Sequence, residues 1–535
     1  MSRATLTAVA VFLLAGRATA DDAIRLVDVT DKAGLRKPLT GILGHGGAWG
    51  DFDGDGKIDL YVGGFSDRPA ADYKPAPGPV PNRLLRNLGN GKFEWVRQQA
   101  VEVVGRTSGA VFADLDNNGT LELYVANNAK PAAARRAKTD VQRAARVQLS
   151  NLFRNDDGKL VDVSKASGAV PAALHTARNI GVFDYNGDGL LDLLVIEDRF
   201  RRNHRSVLLK NEGRLRFRVV NKETGLPGDL FGLGLAVADV NGDHRPDFFV
   251  GHSNRFFLSA KGGKYVEPPS LKKTFAWKPL HAEDWPCGAA FGDLNRDGRL
   301  DLVLSIHCET ARNRVFLNDG LKNGVPRFRD VTKAVGLPDS VAEKSPHVEI
   351  QDFDNDGLPD LYFSTAWMAK DGAIQPLIYR NLGVKNGLPR FTAVHRPGKG
   401  EKLVYFPAGP SGDYDGDGRV DLFLINWFRG NHCRLLHNES RRRHWLTVKV
   451  TGKTFNRMGI GSQVRVYPAG MLGNGRSLLG FQELSTGYGY AGGQPAVCHF
   501  GLGDVKTVDL DVRFPNGRRM QLKDVEADRM LTVHE

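Results

Sequence analysis

Only four cysteines occur in 535 residues, Cys287, Cys308, Cys433 and Cys498, so a disulfide-dense scaffold is excluded. The pattern leaves open a bridge between Cys287 and Cys308 or four buried thiols. Neither a Cys-x-x-Cys-His haem site nor a His-Glu-x-x-His zinc site, a Gly-x-Ser-x-Gly elbow or a Walker phosphate loop is present. No apolar run reaches the ~18 residues of a membrane-spanning helix. Helical periodicity is also scarce. Short runs of Val, Leu, Phe and Tyr bounded by Gly, Asn and Asp make the fold class all-β.

Glycine, by contrast, is abundant at 62 residues, and much of it sits in one recurring pattern, Asp-x-Asp/Asn-x-Asp/Asn-Gly-x-x-Asp/Glu, followed at once by an apolar run. Loop one is Asp51, Asp53, Asp55, Gly56 and Asp59, leading into Leu60-Tyr61-Val62. Oxygens at positions 1, 3 and 5, a carbonyl at 7 and a carboxylate at 9 can wrap one hard cation, while glycine at 6 permits the sharp bend. Calcium suits so many protein oxygens better than magnesium, which keeps its waters. An EF-hand does not fit, because position 12 is Val62 and strands flank the loop. A single copy reads equally well as a metal-free acidic turn, but six further copies favour up to seven calcium ions.

Loop two holds Asp114, Asp116, Asn118 and Glu122, and loop three Asp184, Asn186, Asp188 and Asp192. Loop four keeps Asp239, Asn241, Asp243 and Asp247 but has His244 where glycine belongs, which marks it as the weakest. Loop five has Asp293, Asn295, Asp297 and Asp301, and loop six Asp352, Asp354, Asp356 and Asp360. Loop seven closes the series with Asp413, Asp415, Asp417 and Asp421. The spacing of about 60 residues implies one structural unit per loop.

Each unit carries four strand-like runs, clearest in the fifth at 288–291, 302–306, 314–317 and 327–331. Such a small sheet cannot bury both faces alone, whereas seven packed radially bury them against each other, as a seven-bladed β-propeller. Repeat seven lacks its fourth strand, and Arg25-Leu26-Val27-Asp28-Val29-Thr30 at the other terminus supplies one, closing the ring and removing two edges.

Residues 24–440, with Trp49-Gly50-Asp51 and Phe291-Gly292-Asp293, resemble the FG-GAP or VCBS repeat propellers, the class that includes integrin α-chain heads. The tail motifs Asn456-Arg457-Met-Gly459-Ile460-Gly461, Ser485-Thr486-Gly487-Tyr488-Gly489-Tyr490, His499-Phe500-Gly501 and Phe514-Pro515-Asn516-Gly517 resemble the ASPIC/UnbV domain of the cartilage acidic protein family. The expected organisation is a signal peptide at 1–20, a propeller at 21–440 and an ASPIC/UnbV domain at 441–535. The tail reads as a β-sandwich beside the propeller, with Gly-Tyr-Gly-Tyr as a packed turn or a binding loop.

Arg3, an apolar stretch at 6–15 and Ala18-Thr19-Ala20 form a secretory signal, so a secreted or periplasmic monomer is expected. Export makes the net charge of +12 poor evidence for nucleic acid and points to an anionic glycan or cell-surface protein. The insertions 65–81, 129–148, 199–205 and 278–286 emerge opposite the cation loops. Their basic residues Arg135, Arg136, Lys138, Arg201, Arg202 and Arg205, with Trp277, Trp285, Trp367 and Trp427 at nearby strand ends, are candidate ligand contacts; a solvated surface helix over 132–147 is the plainer alternative. A polysaccharide lyase or hydrolase would need a base such as His281, Glu283, Asp284, His307 or Glu309, none in a specific motif.

Overall fold

The computed structural model describes residues 24–198, 205–279, 284–308, 312–337 and 344–535. Each loop reverses the chain near its sixth position, a glycine in six of the seven, so the apolar run that follows pairs back on the run before it. In repeat one, Gly47–Gly50 pairs antiparallel with Asp59–Val62, and Arg83–Gly89 and Lys92–Val96 extend the sheet outward. Seven such sheets occur among the described residues, one per loop, five of them four-stranded and two, those of repeats one and six, with a fifth strand added. Inner strands such as Thr107–Ala113 and Ala177–Phe183 are buried at every residue, while the outer Lys92–Val96 is half exposed.

The cores lie between neighbouring sheets. Tyr61 and Leu84 of sheet one pack with Phe112, Leu123 and Val125 of sheet two. Trp49 and Leu60 of sheet one pack with Phe423, Ile425 and Leu435 of sheet seven. Burying each such side chain contributes about 1.5–3 kcal/mol. Sheet seven takes its fourth strand from the N-terminal segment: Leu26–Asp28 pairs with Arg434–Asn438, in register Leu26↔Asn438.

All four cysteines are free and buried, so the open choice between a bridge and thiols resolves to thiols. Burial pushes the Cys433 thiol up to about 12, which keeps it protonated and unreactive.

The tail forms two sheets around its own core. One orders Cys498–Gly503, His444–Thr451 and Arg529–His534; the other orders Gly480–Glu483, Gln463–Pro468, Thr507–Arg513 and Arg519–Glu526. Leu446, Val448, Val464, Val466, Leu510 and Val512 fill the space between. Its position corrects the expectation of a domain merely beside the repeats, because it lies across the acidic loops and reaches between the inner strands.

That reach is made by the Gly-Tyr-Gly-Tyr stretch, which of the two expectations is the packed one, with Tyr490 buried, and not an exposed binding loop. Gly489 N donates to the carbonyls of Leu235 in sheet four (3.0 Å) and Ala289 in sheet five (2.9 Å), and Asn179 of sheet three donates to its carbonyl. Gly492–Gly493 runs parallel to Gly47–Gly50 of sheet one. His347, which precedes the inner strand of sheet six, contacts Tyr490 N at 2.9 Å, and the Tyr490 hydroxyl lies 2.8 Å from His45 Nδ1. Gln494 and Ser411 donate to the buried Glu349, which also pairs with His347. Glycine is required at 489, where φ is +78° and a Cβ would stand 2.6 Å from the His347 ring. Gly489→Ala is therefore expected to destabilise the full-length protein by about 3 kcal/mol or more, read as a lowered melting temperature. A variant melting within a degree of the parent would refute this threading.

Candidate metal centres and the opposite face

In loop one, Gly56 has φ +86° and its N–H donates to Asp51 Oδ2 at 2.9 Å, which pulls the loop into a cup. The position-6 N–H donates to the position-1 carboxylate in every loop, at 2.7–3.0 Å. His244 makes the same bond with φ +64°, so loop four keeps the turn despite lacking glycine. Position 9 is doubly held: Asp59 accepts from Phe52 N (3.1 Å) and Asn87 N (2.7 Å), joining its loop to the third strand. The same pair of bonds recurs at Glu122, Asp192, Asp247, Asp301, Asp360 and Asp421.

Carboxylate oxygens gather within 4.8 Å in Asp51/Asp53/Asp59, Asp114/Asp116/Glu122, Asp352/Asp354/Asp356 and Asp413/Asp415/Asp417. Asp51 Oδ1, Asp114 Oδ1 and Asn295 Oδ1 are buried acceptors with no hydrogen-bond donor. Burial, assisted by neighbouring carboxylates, pushes Asp59, Glu122 and Asp421 up to about 8 and Asp293 and Asp413 to about 7. Crowded, underdonated oxygens of this kind fit a hard divalent cation, which would supply the missing positive charge. The protein supplies part of it: Arg86 reaches Asp53 at 2.6 Å, and Arg380 lies 2.6 and 2.9 Å from Asp354 and Asp356. At position 7, Arg245, Arg299 and Arg419 fold back on Asp243, Asp297 and Asp417.

A set of asparagines escaped the sequence reading. Asn87 Nδ2 donates to Ile58 O of its own loop and to Tyr414 O of loop seven. Asn155, Asn211, Asn318, Asn381 and Asn438 make the same bridge from their own loops onto the carbonyls of Phe52, Leu115, Val240, Leu294 and Phe353. Six of the seven loops are thus latched to the one before, including one to seven, while sheet four has Ser259 at the equivalent place and shows no such bridge among the described residues. The signal was present as Asn-x-Gly in Asn87-Leu-Gly89, Asn211-Glu-Gly213, Asn318-Asp-Gly320 and Asn381-Leu-Gly383.

The tail covers this face. Arg457 N donates to Asn117 Oδ1, Glu483 accepts from Asp239 N, and His499 Nε2 lies 2.8 Å from Asn355 Oδ1. Trp445 packs against Gly418 so closely that a Cβ there would stand 1.9 Å from its ring.

A family model described as FG-GAP-like repeat matches residues 51–125, 184–250 and 293–363, and one described as ASPIC and UnbV matches 452–535. The chain carries FG-GAP-like repeats and an ASPIC and UnbV domain. Cartilage acidic protein 1 of Mus musculus is 24% identical over 520 residues, covering 92% of this chain and 73% of that protein. The Homo sapiens protein of the same name is 24% identical, with 92% and 72% covered. Among solved structures, an Agrocybe aegerita lectin that recognises non-reducing terminal N-acetylglucosamine is 16% identical, with 72% of this chain and 87% of that chain covered and a TM-score of 0.38. An exotype rhamnogalacturonan lyase is 14% identical, with 74% and 72% covered and a TM-score of 0.41.

On the face of the FG-GAP repeats opposite the ASPIC and UnbV domain, Pro131–Ala134 and Asp140–Val147 are helical, and Thr139 caps the second by accepting from Gln142 N. Arg135, Arg136 and Lys138 are exposed between them, while Arg146 turns inward and joins Arg106 on the buried Asp67. Arg205 is exposed; Arg201 and Arg202 lie outside the described residues, as do His281, Glu283 and Glu309. The tryptophans are largely occupied. Trp285 is buried and stacked between His252 and His307, Arg68 caps Trp427 at 4.4 Å, and Arg314 lies over Trp277 at 4.9 Å. Trp367 is half-buried. No helix among the described residues is long and apolar enough to cross a membrane.

Proposed function

We propose that this is an exported, calcium-stabilised binding protein, its seven sheets the blades of a propeller, which recognises an anionic glycan or another extracellular partner through the long-loop face. The placement of the tail carries this reading. With the cation loops covered and the space between inner strands threaded, the opposite face is the one left for a partner, and long loops on a rigid scaffold commonly bear binding residues. Calcium would be held first by the oxygens of loops one, two and six, where carboxylates already converge, and would tie each loop's two strands together. The signal-like residues 1–20 lie outside the described residues and support export from sequence alone.

Arg135, Arg136 and Lys138 are exposed and in no ion pair among the described residues, so their charge is available to sulfate or carboxylate groups, which guanidinium forks match well. Such contacts weaken with salt, because exposed charges are screened within about 8 Å at physiological ionic strength. Replacing the three residues by Ser should lower the salt concentration that elutes the protein from a heparin-like column and leave its melting temperature unchanged. Elution of parent and variant at the same salt concentration would reject this face as the anionic-partner site.

A further inference from the structure

In sheets one, three and six the residue just before the latch position is basic and turned toward the loop carboxylates: Arg86 lies 2.6 Å from Asp53, Lys210 3.2 Å from Asp188, and Arg380 2.6 Å from Asp354. In sheet seven that register is His437. Its Nδ1 lies 3.2 Å from Asp421 Oδ1 and 3.6 Å from Asp415 Oδ2. Ligand atoms of Asp415, Asp421 and His437 all fall within 4.8 Å of one another, although they come from the loop, the second strand and the third strand. The Tyr414 ring stands edge-on to the imidazole at 6.0 Å, which restrains its orientation. Asp417, the position-5 carboxylate, is paired with Arg419, whose Nε donates to it at 3.0 Å.

We propose that Asp415, Asp421 and His437 form a site for a first-row transition-metal dication such as zinc, which makes loop seven chemically different from its oxygen-only counterparts. Imidazole nitrogen is a good ligand for zinc and its neighbours in the series and a poor one for calcium, which selects oxygen. The two separations, 3.2 and 3.6 Å, are close to the roughly 3.3 Å edge of a tetrahedron built with zinc bonds of 2.0–2.1 Å. Three protein ligands leave a fourth position, beside which Asp413 stands in the same carboxylate group as Asp415. The inference stands on these residues alone and does not depend on the proposed partner.

The test uses the full-length protein, stripped of metal, saturated with calcium and then titrated with zinc by calorimetry and with cobalt by visible absorption. About one equivalent of zinc should bind in calcium excess, and cobalt should give the ligand-field bands of a nitrogen- and oxygen-bound ion. His437→Arg installs the residue found at this register in sheets one and six, so the variant should melt like the parent in calcium. His437→Gln is a second variant of similar shape. Both should weaken zinc binding at least tenfold and abolish the rise in melting temperature that zinc gives the parent. Failure of the parent to take up zinc in calcium excess would overturn the proposal, as would undiminished binding in both variants.

Discussion

Chelation should destabilise the full-length protein strongly, and more so at pH 8 than at pH 5. For a loop dissociation constant of about 0.1–1 mM and calcium near 1 mM, each occupied loop contributes roughly 0.4–1.4 kcal/mol, so several loops together supply several kcal/mol. The pH dependence follows from the buried acids. Burial holds Asp59, Glu122 and Asp421 near 8, whereas the unfolded chain releases those protons near pH 4. Between about pH 4 and 8 the calcium-free native state therefore binds more protons than the unfolded state, and its stability falls as pH rises. Calcium binds the ionised form, so it should flatten that decline. Asp53→Ala, which removes one of three converging carboxylates, should lower the melting temperature in calcium more than a change at His244 does. Equal melting with and without chelator at pH 8 would remove calcium from the account of this protein.

Deleting residues 24–30 should be comparably damaging. Leu26–Asp28 completes sheet seven, Val29 N donates to Leu435 O, Thr30 Oγ1 accepts from Leu435 N, and Asp28 pairs with Arg434 at 2.7 Å. Ile24, Leu26 and Val29 are all buried. Returning three such side chains to water costs about 5–9 kcal/mol as an upper bound, and the deletion also bares the edge of Arg434–Asn438. The truncated protein should unfold many degrees earlier and aggregate on heating. A truncation that melts within two degrees of the parent would show that this strand does not hold sheet seven together.

The strands were legible because each is written locally: an acid at position 1 and another at position 9 bracket a turn, and the apolar run beside them has one partner within reach. The loop carboxylates were legible for the same reason, and Asp51, Asp53 and Asp59 do converge. The role of position 9 was only half legible. Asp59 was read as a cation ligand, and it is also a clamp for two backbone N–H groups, one of them on a strand 28 residues away. How far the tryptophans are open to a ligand was not legible, because exposure depends on neighbours that spacing does not reveal. Arg68 and Arg314 cover two of them.

By itself the sequence determined an all-β chain of seven loop-bearing units, a terminal strand able to complete the seventh, and a separate β-rich tail. Each of these follows from short-range pattern: period-two strands, fixed oxygen spacing and glycine at a turn. Only the tertiary structure decided that the tail covers the acidic loops, that Gly489 and Tyr490 pass between the inner strands, that asparagines latch most loops to the one before, and that His437 faces Asp415 and Asp421. Gly489 meets Leu235 and Tyr490 meets His45 across hundreds of residues, and such contacts leave no periodicity in the chain. They exist because packing the repeated sheets and the tail against one another brings together groups that no local rule associates, and the buried polar atoms gathered there must then find partners in one another.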